Sequence, residues 1–182
     1  MAQTTKKTFN SYLADKVALR YKNIPRTGEI NVLDCYGGKG IIWRAVRLMT
    51  GREINVLSID VENNDGFFMP GDNRSFLSII DLSRFNVVDL DAYGIPYDQL
   101  KILFERGYKG HVFVTFIQSL YGQMNKGMLA DIGFSNEMVE KIPTLFAKSG
   151  WSYFCEWLAL QGVETIRVRS HSRKHYLYFK MG

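Results

Sequence analysis

Acids, glycines and aromatic residues recur in this chain at spacings that suit a nucleotide-like ligand and chemistry beside it. In Asn31-Val32-Leu33-Asp34-Cys35-Tyr36-Gly37-Gly38-Lys39-Gly40 an apolar run ends at Asp34, and Gly38 and Gly40 follow four and six positions later. Glycines there let the backbone approach a ligand, and a helix starting near Ile41 aims its free N–H groups at the same place. The next apolar run, Glu53 to Ile59, closes on Asp60 twenty residues after Gly40, where a carboxylate can accept both hydroxyls of a ribose. Further on, Phe85 to Leu90 reads as a buried strand that leads into Asp89, Asp91, Tyr93, Gly94 and Pro96. A carboxylate beside an aromatic ring at a strand end can accept a proton from a planar amine that the ring holds by stacking.

Several alternatives are refused by particular residues. A dinucleotide turn needs a third glycine where this chain has Trp43, and a phosphate-cradling loop needs Ser or Thr after its lysine, where Gly40 follows Lys39. Methylation of cytosine carbon five needs a thiolate nucleophile, but Cys35 lies in the glycine turn and Cys155 in a predicted helix. Two cysteines without metal spacing, with His111, His171 and His175, leave no zinc constellation, so no metal is expected.

The first run resembles motif one of the class I S-adenosylmethionine (SAM) methyltransferases, in which an acid ends the first strand and glycines follow at Gly38 and Gly40. Tyr36 stands where that family often has glycine, a variant associated with enzymes that methylate nucleic acids. Gly71-Asp72-Asn73 is similar to the family's third motif, where an acid or amide contacts adenine; Asp72 equally suits a helix N-cap. Asp89, Asp91, Tyr93, Gly94 and Pro96 resemble motif four of the tRNA guanine dimethyltransferases, which methylate an exocyclic amine, with Ala92 departing from that family's proline. The resemblance spans Val32 to Pro96. It implies SAM as cofactor, held by Asp34, Tyr36, Gly38, Gly40, Asp60, Asp72 and Asp89. It also implies catalysis by Asp91 as amine-proton acceptor and by Tyr93 as stacking partner. For Asp91 the alternative is an acid that caps the turn at Gly94, and Asp89 also reads as structural.

These residues need a sheet to align them. A basic helix over Phe9 to Lys22 precedes strands and helices that alternate from Asn31, with a fifth strand at His111 to Gln118. A helical region from Asn136 to Leu160, interrupted near Pro143 and Gly150, leads to strands at Val163 to Arg169 and Lys174 to Lys180. The expected fold is α/β: a Rossmann-like, doubly wound, mostly parallel sheet with a C-terminal antiparallel hairpin, the class I methyltransferase fold. Residues 1–182 read as one domain, 46% hydrophobic, with a basic N-terminal helical segment (1–26) and a basic terminal hairpin (161–182). The aromatics Trp151, Tyr153, Phe154 and Trp157 have helical spacing that suits packing on the sheet.

The net charge of +5 is concentrated at the two ends: six Lys/Arg against one acid in residues 1–26, and five against one in 161–182. A hairpin turn at Ser170 to Arg173 on the same edge as Asp91 would let Arg167, Arg169, Arg173 and Lys174 grip phosphates; a solvated turn is the plain alternative. The expected substrate is therefore RNA or DNA, with a partner subunit or homo-oligomer completing substrate recognition. The rival readings are a small-molecule methyltransferase and a SAM- or RNA-binding module without catalysis. Tyr121, Gln123, Asn125 and Lys126 form a stretch that suits either a loop over the substrate or a surface connection. With no apolar run of membrane-spanning length and no apolar core in Met1 to Lys7, the expected setting is cytoplasmic and reducing.

Overall fold

The computed structural model describes residues 12–61, 68–118 and 124–182. The chain runs α1 (Leu13–Asn23), β1 (Asn31–Asp34), α2 (Ile41–Thr50), β2 (Asn55–Asp60), β3 (Phe68–Pro70), α3 (Asn73–Ile79), β4 (Val87–Leu90), α4 (Tyr97–Glu105), β5 (Gly110–Ile117), α5 (Lys126–Asp131), α6 (Asn136–Lys141), α7 (Pro143–Leu160), β6 (Arg167–His171) and β7 (Lys174–Met181). One seven-stranded sheet has the order β3-β2-β1-β4-β5-β7-β6. The pairs from β3 to β5 are parallel, and β7 lies antiparallel between β5 and β6. Chain order reverses between β1 and β4, and a sheet of this kind opens its binding crevice beyond the strand ends at that point.

Alternation along the central strands divides the core. Val32, Val87, Phe113 and Tyr176 face α1 and α2 with Trp43 and Val46; Leu33, Val88, Val114 and Leu177 face the other helices with Leu100, Phe154 and Trp157. Phe154 and Trp157 thus pack on the sheet as their spacing implies, while Trp151 stacks on His175 with ring centroids 4.0 Å apart. Among the described residues no helix is long and apolar enough to cross a membrane.

Three boundaries differ from expectation. Pro143 opens α7 rather than breaking it, since a first-turn proline lacks only an N–H that has no helical partner. Gly150 does not interrupt that helix either; a Cβ there would lie 2.6 Å from Met124 Sδ, so glycine serves close packing. The last hairpin begins at Arg167 and turns at Ser172 and Arg173, with Ser172 at φ 48°. The first helix begins after its N-cap Tyr12; Phe9 to Ser11 of the expected helix lie outside the described residues, as do Tyr121 and Gln123.

Candidate functional site

Beyond the ends of β1 and β4 lies the turn from Cys35 to Gly40. Asp34 Oδ1 accepts the Tyr36 N–H at 3.2 Å, which bends the chain out of β1. Gly38 and Gly40 adopt φ of 49° and 63°, the left-handed region that glycine enters without strain. Gly40 is the N-cap of α2 and offers no side chain to the helix's first amides. A Cβ at Gly40 would meet nothing within 4 Å, so the turn and the bare helix end border open space. Across the turn, Asp60 Oδ2 accepts the Gly38 N–H at 2.8 Å, bringing the acid of β2 against the glycines as the spacing implies. Tyr36 sits half-buried beside them, its hydroxyl pushed up to about 12, first by burial.

Asp72 is the N-cap of α3, accepting the Arg74 N–H at 3.1 Å, and is exposed. Its neighbour Asn73 is buried and ties the turn to α3 by donating to the Cys35 carbonyl at 2.8 Å. Asn73 in turn accepts from Gln99 Nε2 at 2.8 Å.

The second half of the site is a charge cluster on the α1 face. Asp89 was expected among the cofactor residues, but it is buried and serves as a strut. Arg20 Nε and Nη2 donate to its two oxygens at 2.6 and 2.5 Å, and the Trp43 indole N–H donates to Oδ2 at 2.9 Å. Both side chains of the Arg20–Asp89 pair are 1% exposed. Burial opposes the charge on Arg20, yet Asp89 outweighs it and lifts the guanidinium above its ordinary value. Two residues on, Lys16 Nζ lies 2.7 Å from each oxygen of Asp91, and Thr115 Oγ1 donates to Oδ1. Burial raises the Asp91 carboxyl, but Arg20 and Lys16 together outweigh it and hold the group below its usual range.

Asp34 faces the same cluster, in register with Asp89, and burial followed by the Asp89 charge pushes it well above the carboxylate range. Three carboxyls thus face two cations, and raising the Asp34 pKa lessens the negative charge that burial penalises.

The loop after Asp91 is pinned without the proline that its motif leads one to expect. Ala92 N–H donates to the Leu90 carbonyl at 2.8 Å, a bond proline cannot make, and Ile117 N–H donates to Gly94 O at 2.8 Å. Tyr93 projects outward from this loop, 71% exposed. The strand order, the glycine turn at β1 and the reversed strand β7 now stand together. The fold is that of the class I methyltransferases. Solved structures carry the same fold at low identity. A class I SAM-dependent methyltransferase from Listeria monocytogenes, described as putative, is 15% identical with TM-score 0.53, over all of this chain and 62% of that one. Precorrin-6y C5,15-methyltransferase from Geobacter metallireducens is 8% identical with TM-score 0.53, over 99% of this chain and 92% of that one. The mitomycin 7-O-methyltransferase is 14% identical with TM-score 0.51, over 92% of this chain, which spans only 53% of its length. Neither a protein-family model nor a curated protein matches the chain.

Of the four basic hairpin residues, Arg173 lies in the turn and Lys174 opens β7, opposite Ile117 at the C-terminal end of β5, so the tip is at the Asp91 edge. Arg169 lies two positions into β6. Arg167 sits at the other end of β6 from the turn and donates to Asn23 Oδ1 at 2.6 Å. Asn125 and Lys126 serve α5 as N-cap and as partner of Glu140.

Lys16, Arg20, Trp43 and Thr115 belong to the site without belonging to any motif. One signal was available: Leu13, Lys16, Val17, Arg20 and Ile24 form a single helical stripe, and a cation inside an apolar stripe must find a buried acid.

Proposed function

We propose that this chain is a SAM-dependent methyltransferase acting on an exocyclic amine of a nucleobase in RNA or DNA. The observation that carries the reading is Asp91, held at the end of β4 next to the exposed ring of Tyr93 and close to the glycine turn. The residues suit the cofactor. Gly40 borders open space, the first amides of α2 lack a side-chain cap, and Asp60 stands beside the turn at Gly38. Asp34, Tyr36 and Asp72 complete the proposed binding set, Asp34 by shaping the turn. When bound, SAM supplies a methyl group already activated on a sulfonium. The chain's own task is to align the nucleophile and exclude water.

Asp91 is suited to orientation more than to strong basicity. A carboxylate offers about four lone-pair sites. Lys16 and Thr115 occupy three, two on Oδ1 and one on Oδ2, which leaves one acceptor site on Oδ2 for an amine proton. An acceptor there turns the nitrogen lone pair toward the methyl donor and stabilises the positive charge that develops on nitrogen. The proton becomes acidic only once that charge has formed, so a carboxylate with a lowered pKa still suffices to receive it. Tyr93 holds the base by stacking, worth about 1–3 kcal/mol. In this reading Arg169, Arg173 and Lys174 meet phosphates beside the loop.

A module that binds SAM or RNA without transfer is the second reading, favoured by the contact of Lys16 with both oxygens of Asp91. Calorimetric titration with SAM, followed by labelled-methyl transfer to RNA, DNA and metabolite pools, separates the two. The expected result is SAM binding that Asp60→Ala weakens and Asp91→Asn preserves, with transfer to nucleic acid lost in Asp91→Asn. Label entering only small metabolites would replace the substrate class, and SAM binding without any transfer would leave the binding module.

A further inference from the structure

A groove remote from the glycine turn has a composition that the site does not use. It is lined by Tyr21, Lys22, Arg26, Arg52 and Arg167 with Ile24, Pro25 and Thr50: four cations and no acid. Among the described residues none of the four cations enters an ion pair, whereas Lys16 and Arg20 on the same helix both do. We propose that this groove is a second phosphate-binding surface for the nucleic-acid substrate, continuing the footprint of the hairpin tip along β6. The inference rests on the proposed nucleic-acid reading and extends it to residues outside the catalytic end.

Two of the cations are positioned in advance. Arg52 donates to the Pro25 carbonyl and, at 2.6 Å, to that of Gly28, while Arg167 donates to Asn23 Oδ1 at 2.6 Å. Guanidinium groups so fixed lose little further freedom on meeting a phosphate, and each has donors left over. Lys22 in the last turn of α1 complements the helix dipole, which accounts for one cation and not for four. The groove holds about 520 Å³, many times the roughly 30 Å³ share of a water molecule, so it admits a length of chain and not only a single ion. The ring of Tyr21, 43% exposed, borders it and offers a base a surface to stack on.

The groove and the active end are joined on one face. His171 Nε2 lies 2.9 Å from Asp15 Oδ2 and Arg167 donates to Asn23, so these positions of β6 face α1, and alternation puts Arg169 on the same side between them. A basic track therefore runs from Arg173 in the turn, past Arg169 and Arg167, to Lys22 and Arg26. Along α1, Lys22 lies six residues beyond Lys16, the partner of Asp91, or about 9 Å at 1.5 Å per residue. A sugar–phosphate backbone whose target base sits at Tyr93 can follow this track. An acidic protein segment lacks the regular charge spacing and the bases that the track and Tyr21 would serve.

The test is fluorescence anisotropy of the full chain with short labelled RNA and DNA oligonucleotides over a salt series. It compares the wild type with Lys22→Gln/Arg26→Gln, which leaves the two anchored arginines in place, and with Arg169→Gln/Arg173→Gln. Loss at the groove should weaken binding evenly across sequences, by roughly tenfold at low salt, and reduce the salt slope by about two. Thermal melting and SAM titration of the groove variant should match the wild type. An unchanged slope in the groove variant, with a reduced one in the hairpin variant, overturns the groove and leaves the proposed function standing. Polyglutamate binding that the groove variant loses, while its oligonucleotide affinity and salt slope stay at the wild-type values, would assign the groove to acidic protein and overturn the proposal. A wild type that binds no oligonucleotide would overturn both.

Discussion

Replacing Arg20 with methionine should destabilise the fold more than any surface substitution in α1. The change removes the guanidinium from a bidentate pair whose members are each 1% exposed and leaves Asp89 as a buried charge with only the Trp43 indole N–H. Breaking such a pair from one side costs about 3–5 kcal/mol, because the remaining ion is buried without an opposite charge. For a domain of this length each kcal/mol moves Tm by about 2–4 °C, so a fall of roughly 6–20 °C is expected. The double variant Arg20→Met/Asp89→Asn removes both charges and keeps an acceptor for Trp43, and it should recover about half of the loss or more. Denaturant unfolding of the wild type, both single variants and the double gives the coupling energy directly, provided the slope with denaturant stays constant across the set. A loss below about 1 kcal/mol in Arg20→Met, the scale of an exposed pair, would refute the reasoning. So would a double variant no more stable than Arg20→Met.

Asp34→Asn should stabilise the fold increasingly as pH rises from the ordinary carboxylate range. The native carboxyl is raised by burial, so above its unfolded pKa the native state binds more protons and wild-type stability falls with pH until Asp34 ionises. A constant difference between variant and wild type from acid to neutral pH would contradict this. Asp91 has the opposite sign: its native pKa is lowered, so its contribution is present above the unfolded value near 3.9 and is lost as pH falls through the native one; Asp91→Asn should therefore flatten the acid limb of the stability profile. Thr115→Val removes a buried donor to Asp91 at nearly constant volume, and about 1–3 kcal/mol should be lost by chemical denaturation. Gly40→Ala should cost roughly 1–2 kcal/mol of stability through its left-handed φ, read by the same method, since the added Cβ meets open space.

The parts of this molecule that were legible in the sequence are those governed by local rules. The ends of β1 and β2, the turn at Gly38 and Gly40 and the closing hairpin follow from apolar runs, glycines and acids that sit next to each other in the chain. The charge cluster was not legible, because Arg20 and Asp89 are 69 residues apart and Lys16 and Asp91 are 75 apart, and no local pattern links a basic helix to a strand end at that distance. Counting charge left Lys16 and Arg20 in a basic segment, whereas the fold buries Arg20 and half-buries Lys16 against the two acids. For Arg167 alternation was readable, but the strand's start was not: β6 begins four residues later than the apolar run at Val163, which moves Arg167 to the end remote from the turn. At Ala92 the motif directed attention to a missing ring, whereas the structure supplies a hydrogen bond in its place.

The position of β7 has a kinetic consequence. It enters the sheet between β5 and β6, eight residues in register with β5, and its hairpin partner holds Asn23 through a contact 144 residues long in sequence. Contacts of that span close late, because loop-closure entropy must be met before they form. Until residues 174–181 are in place, β5 presents a bare edge of the kind that pairs with other chains. The face of Tyr176 on which α1 rests is missing over the same interval. The same step that completes the sheet therefore also completes the surface that holds α1 against Asp89 and Asp91.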